Sequence, residues 1–73
     1  MGKSNVQDEI LETCKKSEVL VNIWLTNGLQ LKGNVTQFDE YVILLEYEEK
    51  QQMLYKESVM LLRPMKRLDF NFS

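Results

Sequence analysis

The sequence predicts a mainly β domain: an N-terminal α-helix, then five short antiparallel strands forming a strongly bent sheet, a small open barrel. Three observations carry this. Apolar residues recur at helical spacing up to Lys16 and mostly at alternating spacing from Val19 onward. Asn27-Gly28 is a strong hairpin signal, because both turn residues tolerate positive φ. Gly33 falls inside an alternating stretch, where a missing side chain marks a bend or a close backbone approach.

The helix is expected over about Val6 to Lys16. Ser4 or Asn5 can cap it, with Asp8 and Glu9 in its first turn and Lys15 and Lys16 in its last, an order that suits the helix dipole. Val6, Ile10, Leu11 and Cys14 form its apolar stripe. "VLVNIWLT" is the first strand, with Val19, Val21, Ile23 and Leu25 on one face and Leu20, Asn22, Trp24 and Thr26 on the other. In "LQLKGNVTQF", Leu29, Leu31 and Val35 oppose Gln30, Lys32, Asn34 and Thr36. Phe38 breaks that alternation, so a bulge is expected near Gln37.

Asp39-Glu40 is a turn, Asp39 bonding the backbone through its side chain. "YVILLEY" is apolar on both faces and reads as a covered strand. Glu48-Glu49-Lys50 is a solvated charged turn continuing from Glu46. "QQMLY" and "SVMLL" follow, separated by Lys56-Glu57, and Arg63-Pro64 ends the pattern. The expected organisation is a flexible arm over 1–5, a domain over 6–62 with strands from about 19, and a short mobile tail over 63–73. "SVMLL" is an apolar edge, which invites pairing with another chain; repeated head to tail, that pairing closes a ring.

A chain of 73 residues has a marginal core and usually needs added support. Cys14 is the only cysteine and there is no histidine, which excludes a disulfide and a zinc cluster. Oligomerisation is the support left. Nine Lys and Arg against eleven Asp and Glu give a net charge of −2 and a pI near 5.0. That balance argues mildly against a nucleic-acid partner, though a locally basic site remains open. No run suits a signal peptide or a membrane span, and the lone cysteine fits the cytosol, so a cytoplasmic protein without a membrane partner is expected. Cys14 is expected to be buried and inert. With no histidine, no serine nucleophile motif and no glycine-rich phosphate loop, the chain is read as no enzyme, with no cofactor and no small-molecule substrate.

Together, the N-terminal helix, Asn27-Gly28, Gly33, "FDEYV" (Phe38 to Val42) and "YK" (Tyr55-Lys56) resemble the bacterial Sm-like Hfq family over about Val6 to Leu62. The Asn-Gly, Gly and Phe-Asp pattern looks like the first Sm motif. "YKESV" looks like the second, where the family reads Tyr-Lys-His-Ala or close to it; Glu57 stands in place of His. The resemblance implies an RNA chaperone in control by small RNA and mRNA: a homohexameric ring that binds single-stranded RNA on both faces.

On the face near the helix, the resemblance assigns uridine binding to Gln7, Tyr41, Lys56 and Glu57, with Tyr55 beside them. Tyr41 would stack a base while Gln7 and Lys56 bond its edge. Asp8 could orient that site. The competing reading makes Tyr41 and Tyr55 core aromatics and Lys56 a turn residue. Glu57 would repel phosphate, by about 1 kcal/mol in water and about 4 kcal/mol at an effective dielectric near 20 for charges about 4 Å apart. Lys56 is placed to pair with Glu57, so weakened uridine-rich binding is expected.

On the opposite face, the matching positions for adenine-rich RNA are Trp24, Gly28, Leu29, Gln30 and Gln52, with Lys32 nearby. Trp24 would offer a stacking surface, or else pack inside the sheet; its polar face-mates Asn22 and Thr26 favour partial exposure. Met60 and Leu61 stand where the family often has hydroxyls. Lys15 and Lys16 match a basic rim patch, or simply complement the helix dipole. The rival reading is a diverged, acidic ring that acts as a protein-interaction module or co-assembling partner, supported by the pI, Glu57 and the Met60-Leu61-Leu62 run.

Overall fold

Helix α1 (Val6–Ser17) begins a computed structural model that describes residues 6–68. The expected caps Ser4 and Asn5, the arm over 1–5 and the end of the tail lie outside the described residues. Leu11 and Cys14 of the stripe are fully buried, and α1 packs against the second strand. Burying one leucine of this kind contributes about 1.5–3 kcal/mol. Val6, the first residue of α1, departs from the stripe and is exposed. Burial pushes the Cys14 thiol up, consistent with an inert side chain. The helix stops where Glu18 turns to φ 55°, and Val19 N–H returns to the Cys14 carbonyl at 3.0 Å.

Five strands follow: β1 (Leu20–Leu25), β2 (Gln30–Phe38), β3 (Val42–Tyr47), β4 (Lys50–Tyr55) and β5 (Val59–Pro64). Their order in one antiparallel sheet is β4-β3-β2-β1-β5. β4 and β5 are the two edges, so the sheet is bent but not closed. The bend lies in β2. Asn34 is its hinge, paired with Leu20 of β1 and Glu46 of β3. Next to it a Cβ on Gly33 would lie 2.9 Å from the Glu46 carbonyl oxygen, so glycine is there for close approach. The register slips between Val35 and Gln37, where the bulge was expected. The concave side buries Val19, Val21, Ile23, Val35, Ile43, Leu45 and Leu54 with the helix residues.

Of the three hairpins, the first and the last exchange the turn types that composition suggests. At Asn27-Gly28, Gly28 N–H bonds the Leu25 carbonyl at 2.9 Å, so Thr26 and Asn27 are central and only Gly28 has positive φ, at 92°. This is a three-residue loop, closed further by Leu29 N–H donating to Asn27 Oδ1 at 3.0 Å. The tight loop is instead Glu48-Glu49, at φ 53° and 66°, between the paired residues Tyr47 and Lys50. Cross-strand register demands a two-residue turn there whatever its side chains. Glu49→Gly should therefore stabilise the fold by about 1 kcal/mol, seen as a melting temperature higher by about 4–8 °C at fixed protein concentration. An unchanged or lower transition would show that Glu49 is not strained.

At the Asp39 turn, the carboxylate accepts from Tyr41 N–H (2.8 Å) and Val42 N–H (2.9 Å). These bonds hold its carboxyl below the usual carboxylate range. Two expectations fail at the C-terminal end. The sequence pattern ends the last strand at Leu62, whereas β5 continues through Arg63 to Pro64, which an edge strand tolerates. Residues beyond it are held as well: Met65 N–H bonds the Leu20 carbonyl at 2.8 Å, and Leu68 packs against the core.

Candidate nucleic-acid interface

Lys56-Glu57-Ser58 forms one 3₁₀ turn between β4 and β5. Lys56 N–H bonds the Tyr41 carbonyl at 2.8 Å, which ties this turn to the Asp39 turn. As a result Gln7, Tyr41, Tyr55, Lys56 and Glu57 meet around one open hollow of about 590 Å³. Asp8 and Glu40 complete its wall. Tyr41 is 69% and Tyr55 55% exposed, so neither is a core aromatic and both present ring surface to the hollow.

The electrostatics of this hollow differ from the expectation. Lys56 does not pair with Glu57. Its ammonium lies 2.6 Å from Asp8 Oδ1, with the lysine side chain only 12% exposed, and 5.3 Å from the Phe38 ring centroid. The helix brings Asp8 across from the far end of the chain, which sequence adjacency could not reveal. Charge assistance makes such a bond strong. The single lysine of the hollow is thus engaged by a carboxylate, and Glu40 and Glu57 add two more acids. Aromatic surface remains available, while positive charge is scarce.

The other face is organised by register. Lys32, Asn22 and Arg63 lie opposite one another across β2, β1 and β5; Gln30, Trp24 and Leu61 form the next row. Asn22, the polar face-mate taken to favour exposure of Trp24, is itself buried, at 8% exposed. It donates to Met65 Sδ (2.7 Å) and accepts from Gln30 Nε2 (3.2 Å), which satisfies it under the tail. Trp24 is half-buried, with the Arg63 guanidinium carbon 5.2 Å from its ring centroid. Gln30, Lys32 and Gln52 line a second hollow of about 710 Å³ with Tyr47, whose ring centroid lies 5.5 Å from the Lys32 ammonium. Gly28 and the exposed Leu29 sit in the hairpin loop outside it. Within one chain the six candidates of this face therefore do not share one pocket: Gln30, Lys32 and Gln52 line the hollow, Trp24 pairs with Gln30 under Arg63, and Gly28 and Leu29 stand at the hairpin.

On the rim, Lys15 and Lys16 are both exposed. Lys16 lies 4.0 Å from Glu12 one turn back, a surface pair worth little, and Lys15 borders a hollow with Glu18 and Glu46. The carboxylates dilute this patch. Arg63 and Glu40 were not singled out from sequence. Arg63 could have been found from its alternation with Leu61, had β5 been extended past Leu62; Glu40 carried only the signal of a charged turn. Among the described residues no cluster of three or more His, Cys, Asp or Glu could hold a metal ion, and no helix is long and apolar enough to cross a membrane.

Comparison with known proteins points one way. The family model described as Hfq protein matches residues 6–69. An RNA-binding protein Hfq from Leptospira biflexa serovar Patoc (strain Patoc 1 / Ames) is 42% identical over 65 residues, spanning 89% of this chain and 78% of the relative. That of Bacillus subtilis (strain 168) is 41% identical over 68 residues, 93% of each chain. A solved structure of the pleiotropic translational regulator Hfq superimposes with a TM-score of 0.78 at 31% identity, covering 88% of this chain and 97% of that one. An Hfq protein from Anabaena sp. gives 0.75 at 23% identity, covering 84% and 98%, a likeness in fold.

Proposed function

This chain belongs to the Hfq family, and from that premise we propose that it is an RNA-binding protein working as a homohexameric ring in the cytoplasm. In this reading it is an RNA chaperone for small RNA and mRNA, and it makes and breaks no bond. The observation that carries it is the Trp24 face: a half-exposed indole beside a row bearing Lys32 and Arg63. Single-stranded RNA calls for such a pairing of stacking surface with positive charge. Ring assembly is supported by the two free sheet edges, which expose Met53 on β4 and Met60 and Leu61 on β5. Joining them between copies would cover both, and the ring would multiply weak contacts through effective concentration.

Within this reading adenine-rich RNA takes the face of Trp24, Gly28, Leu29, Gln30, Lys32 and Gln52. Uridine-rich RNA takes the hollow of Gln7, Tyr41, Tyr55, Lys56 and Glu57 weakly, because Glu57 stands where the family has His and Asp8 already engages Lys56. Glu57→His should strengthen oligo-uridine binding about fivefold per occupied site, the exposed carboxylate acting at the water-like end of the Coulomb range. Oligo-uridine titration at constant salt checks this, and an unchanged affinity would sink the repulsion argument. The rim lysines Lys15 and Lys16 contribute little. The docked segment after Leu62 extends the working domain to Leu68.

A second reading, a protein-interaction module or co-assembling partner, is favoured by the acidic wall of Asp8, Glu40 and Glu57. One experiment separates the two. Light scattering after size exclusion establishes the oligomer, and that oligomer is titrated with oligo-adenine and oligo-uridine at two salt concentrations. Salt-sensitive binding of oligo-adenine supports the RNA reading, since the phosphate contribution weakens with salt. Binding of neither favours the protein-interaction reading.

A further inference from the structure

Arg63 supplies positive charge to the Trp24 face in the reading above, and it also covers the one tryptophan of the chain. We propose that Arg63 is a specificity-determining residue of the Trp24 face: it shields the indole from a bare base and yields it to a base that brings a phosphate. This rests on Trp24 being a base-stacking residue.

The geometry supplies both halves of the device. Arg63 lies opposite Asn22, two residues along the strand from the Leu61–Trp24 pair, so its side chain shares Trp24's face of the sheet. Two residues of strand span about 7 Å, comparable with the reach from phosphate to base within one nucleotide. The cation row and the stacking row are therefore spaced for the two ends of the same ligand. The Arg63 side chain is exposed on the face of β5 rather than along the edge that pairing between copies would use, so it can swing without disturbing the core. Among the described residues no carboxylate forms an ion pair with it, so its charge is not spent on the protein.

Two modest interactions then compete. A guanidinium over a half-exposed aromatic ring, with its own charge in solvent, holds it only weakly, by about two- to fivefold in equilibrium terms. A neutral nucleoside must displace it and offers nothing in exchange. A nucleotide in a chain offers a phosphate, to which arginine can present two parallel N–H donors. Once drawn to the phosphate, the guanidinium leaves the indole open to the base. Asn22 holds the floor between the two cations steady, because both ends of its amide are bonded.

The test follows Trp24 fluorescence in the unaltered oligomer and in Arg63→Ala, titrated with adenosine and with an adenine oligonucleotide at two salt concentrations. Arg63→Ala is expected to bind adenosine about two- to fivefold more tightly. It should bind the oligonucleotide more weakly at low salt, with a salt slope smaller by about 0.7 for each phosphate that Arg63 no longer neutralises. Arg63→Gln, which is shorter but keeps part of the stem and a polar, uncharged head, should behave likewise and guards against a disturbed β5. The inference is overturned if either variant moves both ligands in the same direction or leaves their ratio unchanged. If oligo-adenine fails to quench Trp24 even in the unaltered protein, the RNA reading of this face falls, and the role of Arg63 falls with it.

Discussion

Trp24→Ala is expected to lose most binding to adenine-rich RNA while keeping the fold. Stacking of a base on an aromatic side chain is worth about 1–3 kcal/mol per base, roughly fivefold to more than a hundredfold in affinity. Trp24 is the only tryptophan, so no second indole can substitute. In a ring the loss recurs at each copy, and avidity falls faster than any single site. The side chain is half-buried beside Leu61 and under Arg63, so some packing goes too. Trp24→Phe separates the effects, since it keeps a stacking ring and most of the apolar surface. Fluorescence anisotropy of a labelled oligo-adenine measures binding, and circular dichroism reports the fold. A folded Trp24→Ala ring of undiminished affinity would remove the Trp24 face from the proposed function.

Gly33→Ala is expected to be the most damaging small substitution in the sheet. Its Cβ would stand 2.9 Å from the Glu46 carbonyl oxygen and 3.3 Å from Leu45 Cβ. The first is backbone and cannot rotate away, so β2 and β3 would have to separate. Overpacking of this kind costs about 1–3 kcal/mol, which corresponds to a melting temperature lower by roughly 4–24 °C in a domain of this size. The site is also where β2 passes from β1 to β3, so the strain falls on the bend that shapes the whole sheet. Thermal unfolding at fixed protein concentration checks it, because assembly itself adds concentration-dependent stability. A shift below about 2 °C, well under that range, would mean the strands relax freely around Gly33.

Local chemistry made much of this legible in the sequence. The α1 stripe at Leu11 and Cys14, the alternation of Val19, Val21 and Ile23, the bulge before Phe38 and the Asp39 turn all depend on neighbours within a few residues. Convergence of the five residues around the Lys56 hollow was reached through family resemblance rather than periodicity, since Gln7, Tyr41 and Tyr55 come from three separate elements. Where sequence reasoning missed, the deciding partner was distant. Lys56 was matched with its neighbour Glu57, but Asp8 holds it from 48 positions away. The strand expected to end at Leu62 continues because β1 offers Asn22 and Val21 as partners for Arg63 and Pro64.

Periodicity along the chain was enough to specify a helix followed by five strands bent at a glycine, because side-chain alternation and the missing Cβ of Gly33 are properties of the chain before it folds. Tertiary contacts settled which hairpin takes the left-handed pair, which carboxylate neutralises Lys56, and that Arg63 covers Trp24. Each of those depends on cross-strand register or on helix docking, and so on contacts that exist only once residues far apart in the chain have been brought together.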